Sequence, residues 1–136
     1  MELQASYYYF SLGDIVLYYY GISNNLKLDN LDSKLNNQVA ILICGHGSRN
    51  KLAITEFQDL TKFIRKRYPN FLVEYGFLEF AKPSLVDALE KLRDLSIKKV
   101  IAIPAMLFAA GHVKNDIHSL LMNYSSKTVI DIVYVR

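Results

Sequence analysis

The chain has 136 residues, of which 51% are hydrophobic and 21% charged, and this composition favours one globular domain over a disordered or fibrous chain. Its formal net charge of +3 is too small to indicate nucleic-acid binding but suits an anionic small molecule. The single cysteine, Cys44, excludes an intrachain disulfide framework, and its position in an apolar run predicts a buried, unreactive thiol in a reducing, cytoplasmic setting.

The first 38 residues differ in composition from the rest. Residues 1–22 hold six of the ten tyrosines, and their apolar runs are far shorter than the ~20 residues that a membrane span requires. No Lys or Arg precedes Lys27, which argues against a secretory signal. Residues 23–38, rich in Asn, Asp and Ser, are typical of a linker. We therefore predict a compact domain over residues 39–136, which carries a formal charge of +5 because residues 1–38 carry −2.

From Val39 onward, apolar runs of strand length alternate with amphipathic helical patterns. The predicted order is a strand at 39–44, a helix at 52–68, a strand at 71–77, a helix at 83–95, a strand at 98–104, a helix at 114–123 and a strand at 128–135. This alternation predicts right-handed crossovers and an α/β, doubly wound fold of three layers, with a mostly parallel four-stranded sheet.

Polar residues follow three of the predicted strands. His46 stands in "GHGS" after the first strand, Glu79 in "YGFLEFA" after the second, and His112 in "AAGH" after the third. In open α/β sheets, ligands bind beyond the carboxyl ends of the strands. The sequence therefore predicts a site where these three residues converge.

The two histidines and the glutamate suit a divalent transition metal, since two imidazoles and one carboxylate bind such an ion and leave positions open. For His46 alone, a hydrogen bond within its own loop is an equal alternative. For Glu79, the alternative is a structural salt bridge, although a carboxylate in an otherwise apolar stretch favours a metal ligand or a proton acceptor. His118, on the third helix, is expected to have no role.

Several other kinds of site are excluded or disfavoured. Ser48 is not in a G-x-S-x-G elbow, because His46 occupies the first glycine position. The chain has neither the G-x-G-x-x-G fingerprint nor the G-x-x-x-x-G-K-[ST] loop, so we expect no nucleotide and no organic cofactor. Apolar residues before His112, including Phe108, suit a large flat ligand.

Three stretches, "LICGHGSRN", "FLEFAKPSLVDALEKL" and "VIAIPAMLFAAGHVKNDI", together resemble the small class II chelatases of cobalamin and sirohaem biosynthesis. This group contains the sirohydrochlorin cobaltochelatases and ferrochelatases, and the resemblance covers about residues 39–135. It implies a chelatase-like fold and the insertion of a divalent metal into sirohydrochlorin, with Co²⁺ preferred and Fe²⁺ or Ni²⁺ as alternatives. It also implies a homodimer.

The resemblance also implies roles for individual residues. His46 and His112 hold the metal, and Glu79 assists catalysis. The remaining candidates are expected to contact the carboxylate-rich substrate or its flat ring, and they are Ser48, Arg49, Lys82, Phe108 and Lys114. No nucleic acid and no membrane is expected as a partner.

The chain departs from this family at both ends. Family members continue past the fourth strand into a further helix, which we expect to be missing here because the chain ends at Arg136. The tyrosine-rich start is foreign to the family, and it is a remnant of an upstream reading frame, an association segment or a substitute cover for the sheet. Two alternatives to catalysis follow: a non-catalytic metal- or tetrapyrrole-binding protein, or a truncated, inactive remnant.

Overall fold

In the computed structural model of the protein, the described residues are 39–69, 71–105 and 111–134, and the side chains of residues 111–114 are outside the description. The predicted N-terminal segment and linker, residues 1–38, also lie outside it. Seven elements alternate along the described chain: β1 Val39–Gly45, α1 Lys51–Arg67, β2 Leu72–Phe77, α2 Leu85–Asp94, β3 Lys99–Pro104, α3 Gly111–Lys127 and β4 Asp131–Tyr134.

The four strands form one sheet in the order β2-β1-β3-β4, and every pair of neighbours is parallel. The predicted α/β fold with a parallel four-stranded sheet is therefore confirmed. Because β2 and β3 lie on opposite sides of β1, the strand order reverses at β1. A crevice is expected at such a reversal, outside the carboxyl ends of β1 and β3.

Helices cover both faces of the sheet and give it three layers. All seven residues of β1 are buried, which explains why its sequence is a continuous apolar run rather than an alternating one. Leu89 of α2 and Ile117 of α3 pack with Leu42 of β1 in one core cluster on one face. On the other face, Phe57 of α1 packs against Phe77 of β2, with ring centroids 4.8 Å apart.

Cys44 lies in that buried strand. The side chain is fully buried, and burial raises the pKa of the Cys44 thiol far above its ordinary value. The prediction of a buried, unreactive thiol is confirmed on these grounds, because the reactive form of a thiol is the thiolate.

The two helices that follow β1 and β2 have well-formed N-termini. Asn50 caps α1, since its side-chain oxygen accepts a hydrogen bond from the backbone N–H of Leu52 at 2.9 Å. Ser84 and Asp87 form a capping box at α2, each accepting a hydrogen bond from the backbone N–H of the other. These caps fix the points at which the loops after the strands end.

The last two elements differ from the predicted bounds. Helix α3 extends beyond the predicted 114–123 in both directions, and β4 begins at Asp131 rather than at residue 128. The hydroxyl of Thr128 donates to the carbonyl of Tyr124 at 3.0 Å, and that of Ser125 donates to the carbonyl of Ile130 at 2.9 Å. These local hydrogen bonds hold the β-prone residues 128–130 in a turn after the helix.

Within the described part of the chain, the hydropathy and length of the helices give no candidate for a membrane-crossing segment.

Candidate metal-binding site

Backbone hydrogen bonds bring the segments after β1 and β2 together. The ladder between the two strands continues past their ends, because Leu78 N–H donates to Gly45 O at 2.9 Å and Glu79 N–H donates to His46 O at 3.0 Å. His46 and Glu79 are therefore neighbours across the extended ladder at the carboxyl edge of the sheet.

Gly47 allows this close approach. Its φ is +99°, a conformation that residues with a Cβ rarely adopt, and a Cβ at this position would overlap the carbonyl oxygen of Glu79. Glycine is needed here on both grounds. The chain turns at Gly47 directly after His46, so the imidazole projects from a tightly fixed backbone.

The imidazole of His46 makes two polar contacts. Its Nδ1 lies 3.1 Å from the carbonyl oxygen of Gly47, and its Nε2 lies 3.0 Å from Oε1 of Glu79. Both partners are hydrogen-bond acceptors, whereas a neutral imidazole carries one N–H, so a hydrogen on Nδ1 leaves the lone pair of Nε2 facing the carboxylate. The place between Nε2 and Oε1 therefore suits a proton or a cation.

The distance between these two atoms also fits a metal ion. Bonds of about 2.0–2.1 Å from imidazole nitrogen and carboxylate oxygen separate two adjacent ligands on one ion by roughly 3 Å. The side chains of His46 and Glu79 are 38% and 51% exposed, so an ion reaches the pair from solvent. Two ligands from His46 and Glu79 leave the other positions on such an ion open.

Glu79 itself differs from expectation. The sequence suggested a carboxylate retained among apolar residues at a cost, whereas Glu79 is exposed. The carboxylate that is buried is Glu74, which is 8% exposed, and it pairs with Lys91 Nζ at 2.8 Å and Arg65 Nη2 at 3.5 Å. Glu74 therefore makes structural ion pairs with α1 and α2, whereas the carboxylate of Glu79 contacts His46.

His112 is the second residue of α3, in its first turn, and not in a loop as expected. The chain leaves β3 beside the end of β1, where Ala105 N–H donates to Cys44 O at 2.9 Å. Because α3 follows a parallel strand and packs back along the sheet, its N-terminal turn starts at the same edge as His46. The side chain of His112 lies outside the described residues, so its part in metal binding stays a prediction.

The predicted substrate-contacting residues fall into three groups. Arg49 joins the site through Phe80, as described below. Ser48 and Lys82 make other contacts: Ser48 Oγ accepts from Asn50 N–H at 3.0 Å, and Lys82 Nζ lies 3.4 Å from Asp87 Oδ2. Phe108 and the side chain of Lys114 lie outside the described residues.

Phe80 was not singled out from the sequence. Its ring centroid is 5.9 Å from that of His46, and the guanidinium carbon of Arg49 lies 4.8 Å from the Phe80 ring centroid. The only hint in the sequence is an aromatic residue directly after Glu79, which by itself is equally typical of core packing.

Two further observations limit the site. The described residues contain no group of three or more His, Cys, Asp or Glu side chains arranged to hold a metal ion. His118 lies elsewhere on α3, with its ring centroid 5.2 Å from that of Tyr134, and its expected lack of a role stays a prediction. The predicted second imidazole, that of His112, is not among the described side chains.

Comparisons with known proteins all point to one family. The model of the CbiX family matches residues 40–136. The chain is 31% identical over 90 residues to a sirohydrochlorin cobaltochelatase of Methanococcoides burtonii, which covers 64% of this chain and 66% of the relative. It is 42% identical over 82 residues to a sirohydrochlorin cobaltochelatase of Sulfurisphaera tokodaii, covering 57% and 62% respectively. The chain thus spans just under two thirds of the length of these curated relatives.

Solved structures share the fold. SirB from Bacillus subtilis with Fe³⁺ has a TM-score of 0.66 at 27% identity, and the match covers 73% of this chain and 40% of that one. The sirohydrochlorin chelatase SirB from Bacillus subtilis subspecies spizizenii in complex with cobalt has a TM-score of 0.66 at 28% identity, covering 73% and 43%. A putative cobalamin biosynthesis CbiX protein from Marinobacter aquaeolei VT8 is 18% identical with a TM-score of 0.64, which shows a common fold.

Proposed function

The chain belongs to the CbiX family, whose model matches residues 40–136, and from this premise we propose that it inserts a divalent metal ion into sirohydrochlorin. The observation that carries the proposal is the pair His46 and Glu79, with Nε2 and Oε1 3.0 Å apart at the carboxyl edge of the sheet. Both side chains are accessible, so an incoming ion and a macrocycle reach them. The metal is a substrate in this reaction.

The chemistry requires two tasks that the pair performs. In the tautomer whose ring hydrogen is on Nδ1, facing the carbonyl of Gly47, Nε2 of His46 binds the ion through its lone pair. The macrocycle releases pyrrole N–H protons as the metal enters, and the carboxylate of Glu79 accepts a proton beside the ion. A histidine and a base in contact thus suit the exchange of protons for metal.

His112 completes the proposed metal site as the second imidazole. The first turn of α3 and the segment after β1 lie at the strand-order reversal, where an open parallel sheet forms its crevice. An ion held by His46 and His112 keeps positions open for the pyrrole nitrogens. Weak, incomplete coordination also favours release of the ion to the macrocycle.

We propose Co²⁺ as the preferred ion, with Fe²⁺ or Ni²⁺ as alternatives. The curated relatives are named cobaltochelatases, and the SirB structures contain cobalt or Fe³⁺. Imidazole and carboxylate ligands accept several first-row ions, so geometry and supply decide among them. The reaction then belongs to cobalamin or sirohaem biosynthesis.

The substrate is anionic, and positive charge near the site supports this. Arg49 lies next to the His46 pair, and the formal charge of residues 39–136 is +5. We further propose that Ser48, Lys82, Phe108 and Lys114 contact the carboxylates or the ring. No organic cofactor takes part, and the free thiol of Cys44 suits a reducing cytoplasm.

A homodimer is the proposed assembly. One domain of this size offers a single wall to a macrocycle, and the match to SirB covers only 40–43% of those chains, which are long enough to hold two such domains. A dimer of the present chain would have two such domains, as many as one SirB chain is long enough to hold. Sedimentation of a monomer with full activity contradicts this assembly.

The test is a steady-state assay of Co²⁺ insertion into sirohydrochlorin, followed by absorbance under reducing conditions. The proposal expects many turnovers per protein chain, with a rate that saturates in both substrates. Conversion of no more than one equivalent describes a binding protein rather than an enzyme and contradicts the proposal. Parallel runs with Fe²⁺ and Ni²⁺ rank the ions.

A further inference from the structure

Phe80 has an unusual combination of conformation and exposure. Its φ is +67°, a region that bulky residues rarely occupy, and yet its side chain is 52% exposed. A strained backbone is normally tolerated where packing of the side chain offsets it. Here the ring is only half buried, so core packing does not account for its placement.

The neighbours of the ring are polar groups of the metal site. The His46 imidazole lies on one side at a centroid distance of 5.9 Å, and the Arg49 guanidinium lies over the ring at 4.8 Å. A guanidinium at this distance interacts favourably with the ring face and stays available for hydrogen bonds to an anion. The three side chains thus form one surface. The imidazole of His46, proposed to bind the metal, lies beside the ring of Phe80, and the positive charge of Arg49 lies over that ring.

Resting on the proposed function, we propose that Phe80 and Arg49 form the platform that binds the macrocycle, with the exposed part of the Phe80 ring contacting the conjugated ring system and Arg49 pairing with a peripheral carboxylate. An ion on Nε2 of His46 must be faced by the four nitrogens of the macrocycle. The ring system then extends sideways across the side chains next to the imidazole, and Phe80 is one of these. The carboxylates of the macrocycle project from its outer rim, and the rim lies farther from the metal, toward the guanidinium of Arg49.

The aromatic requirement is tested by direct binding, without turnover. Uroporphyrin I, a fluorescent planar macrocycle with peripheral carboxylates, is titrated into the metal-free protein and its variants. Phe80→Leu is expected to raise the dissociation constant about three- to tenfold, whereas Phe80→Tyr, which keeps the ring, restores it. The matched control is Phe63→Leu, because Phe63 on α1 is equally exposed, at 53%, and binding should not change.

The backbone conformation supplies a second, independent readout. Phe80→Gly removes the ring and relieves the positive φ, so its melting temperature should equal or exceed that of the parent while its affinity for uroporphyrin I falls as in Phe80→Leu. A ring that served stability alone gives the opposite result, a lower melting temperature with unchanged binding. That result overturns the inference.

Kinetics separate this inference from the proposed function. With Co²⁺ and sirohydrochlorin, Phe80→Leu is expected to raise the KM for the macrocycle with little change in kcat, and the affinity for Co²⁺ alone should not change. A wild-type protein that inserts Co²⁺ while Phe80→Leu keeps its KM and its uroporphyrin affinity refutes the platform and leaves the function standing. Conversely, a wild-type protein that binds uroporphyrin I through Phe80 but never turns over refutes the function alone. Failure of the wild type to bind uroporphyrin I contradicts the platform.

Discussion

Gly47 and Glu79 are in such close contact that a Cβ on Gly47 would overlap the carbonyl oxygen of Glu79. The same two segments are joined by the hydrogen bond from Glu79 N–H to His46 O at 3.0 Å. The side-chain pair of His46 and Glu79 therefore depends on a backbone contact that only glycine permits.

Gly47→Ala tests this dependence. The added methyl group meets a backbone oxygen and the φ of +99° is strained for alanine, so we expect the free energy of unfolding to fall by about 1–3 kcal/mol. The rate of metal insertion should fall by more than the loss of folded protein explains, because the two segments must separate and the His46–Glu79 distance changes. Urea denaturation and the insertion assay measure the two effects. Ser48→Ala, one residue away, removes a single exposed hydrogen bond and should cost about 1 kcal/mol or less.

The strands and helices were predictable where local chemistry determines them. β1 is a continuous apolar run because both of its faces are covered, and Ser84 with Asp87 marks the start of α2 through reciprocal hydrogen bonds. The start of β4 was not predictable, because hydrogen bonds from Ser125 and Thr128 override the β propensity of the residues between them and the strand.

The site was predictable in part. The positions of His46 and Glu79 after adjacent strands follow from the topology of a parallel sheet, and the structure brings these two side chains together. The exposure of Glu79 was mispredicted, because its neighbours in sequence are apolar but the segment turns outward after Phe77. Phe80 was missed, since neither its positive φ nor its contact with Arg49 follows from residue order.

His46→Ala removes the proposed metal ligand. We expect the rate of Co²⁺ insertion to fall by at least about 100-fold and the Co²⁺ affinity to drop, with little loss of stability because the imidazole is partly exposed. His112→Ala is expected to behave in the same way. His118→Ala is the control, since His118 packs by Tyr134 and makes no described contact with the site. A dead His118→Ala variant alongside an active His46→Ala variant contradicts the assigned site.

Glu79→Gln separates proton transfer from metal binding. The amide keeps the size of the carboxylate and donates a hydrogen bond to Nε2 of His46, but it does not accept a pyrrole proton. We expect kcat to fall by about 10²–10⁴-fold and the free energy of unfolding to change by less than about 1 kcal/mol, because exposed ion pairs contribute little. Glu56→Gln, which removes one exposed charge on α1, should retain activity. A Glu79→Gln variant with normal kcat removes the proton-acceptor role from Glu79.

The capping box of α2 predicts how stability depends on pH. Hydrogen bonds from the backbone and side chain of Ser84, helped by the charge of Lys82, hold the pKa of Asp87 below its ordinary value of 3.8. A carboxyl whose pKa is lower in the folded state stabilises the protein above the pKa of the unfolded chain, and this contribution is lost as pH falls through the folded-state value. As the pH falls below about 4, the melting temperature of the wild type should therefore decrease more than that of Asp87→Asn, because only the wild type loses the stabilising charge of Asp87.

Asp94→Asn is the matched control for that measurement, because Asp94 lies at the opposite end of the same helix and takes no part in the cap. Because this variant keeps Asp87, its melting temperature should show the same additional decrease at low pH as the wild type. Near neutral pH, Asp87→Asn should melt below the wild type, since the amide lacks the negative charge that favours the first turn of a helix. The two curves should approach each other as the carboxyl of the wild type becomes protonated. Parallel curves for the wild type and Asp87→Asn from neutral pH down to about pH 2 would mean that Asp87 titrates in the same way in the folded and unfolded chains, and the capping box would then contribute nothing through its charge.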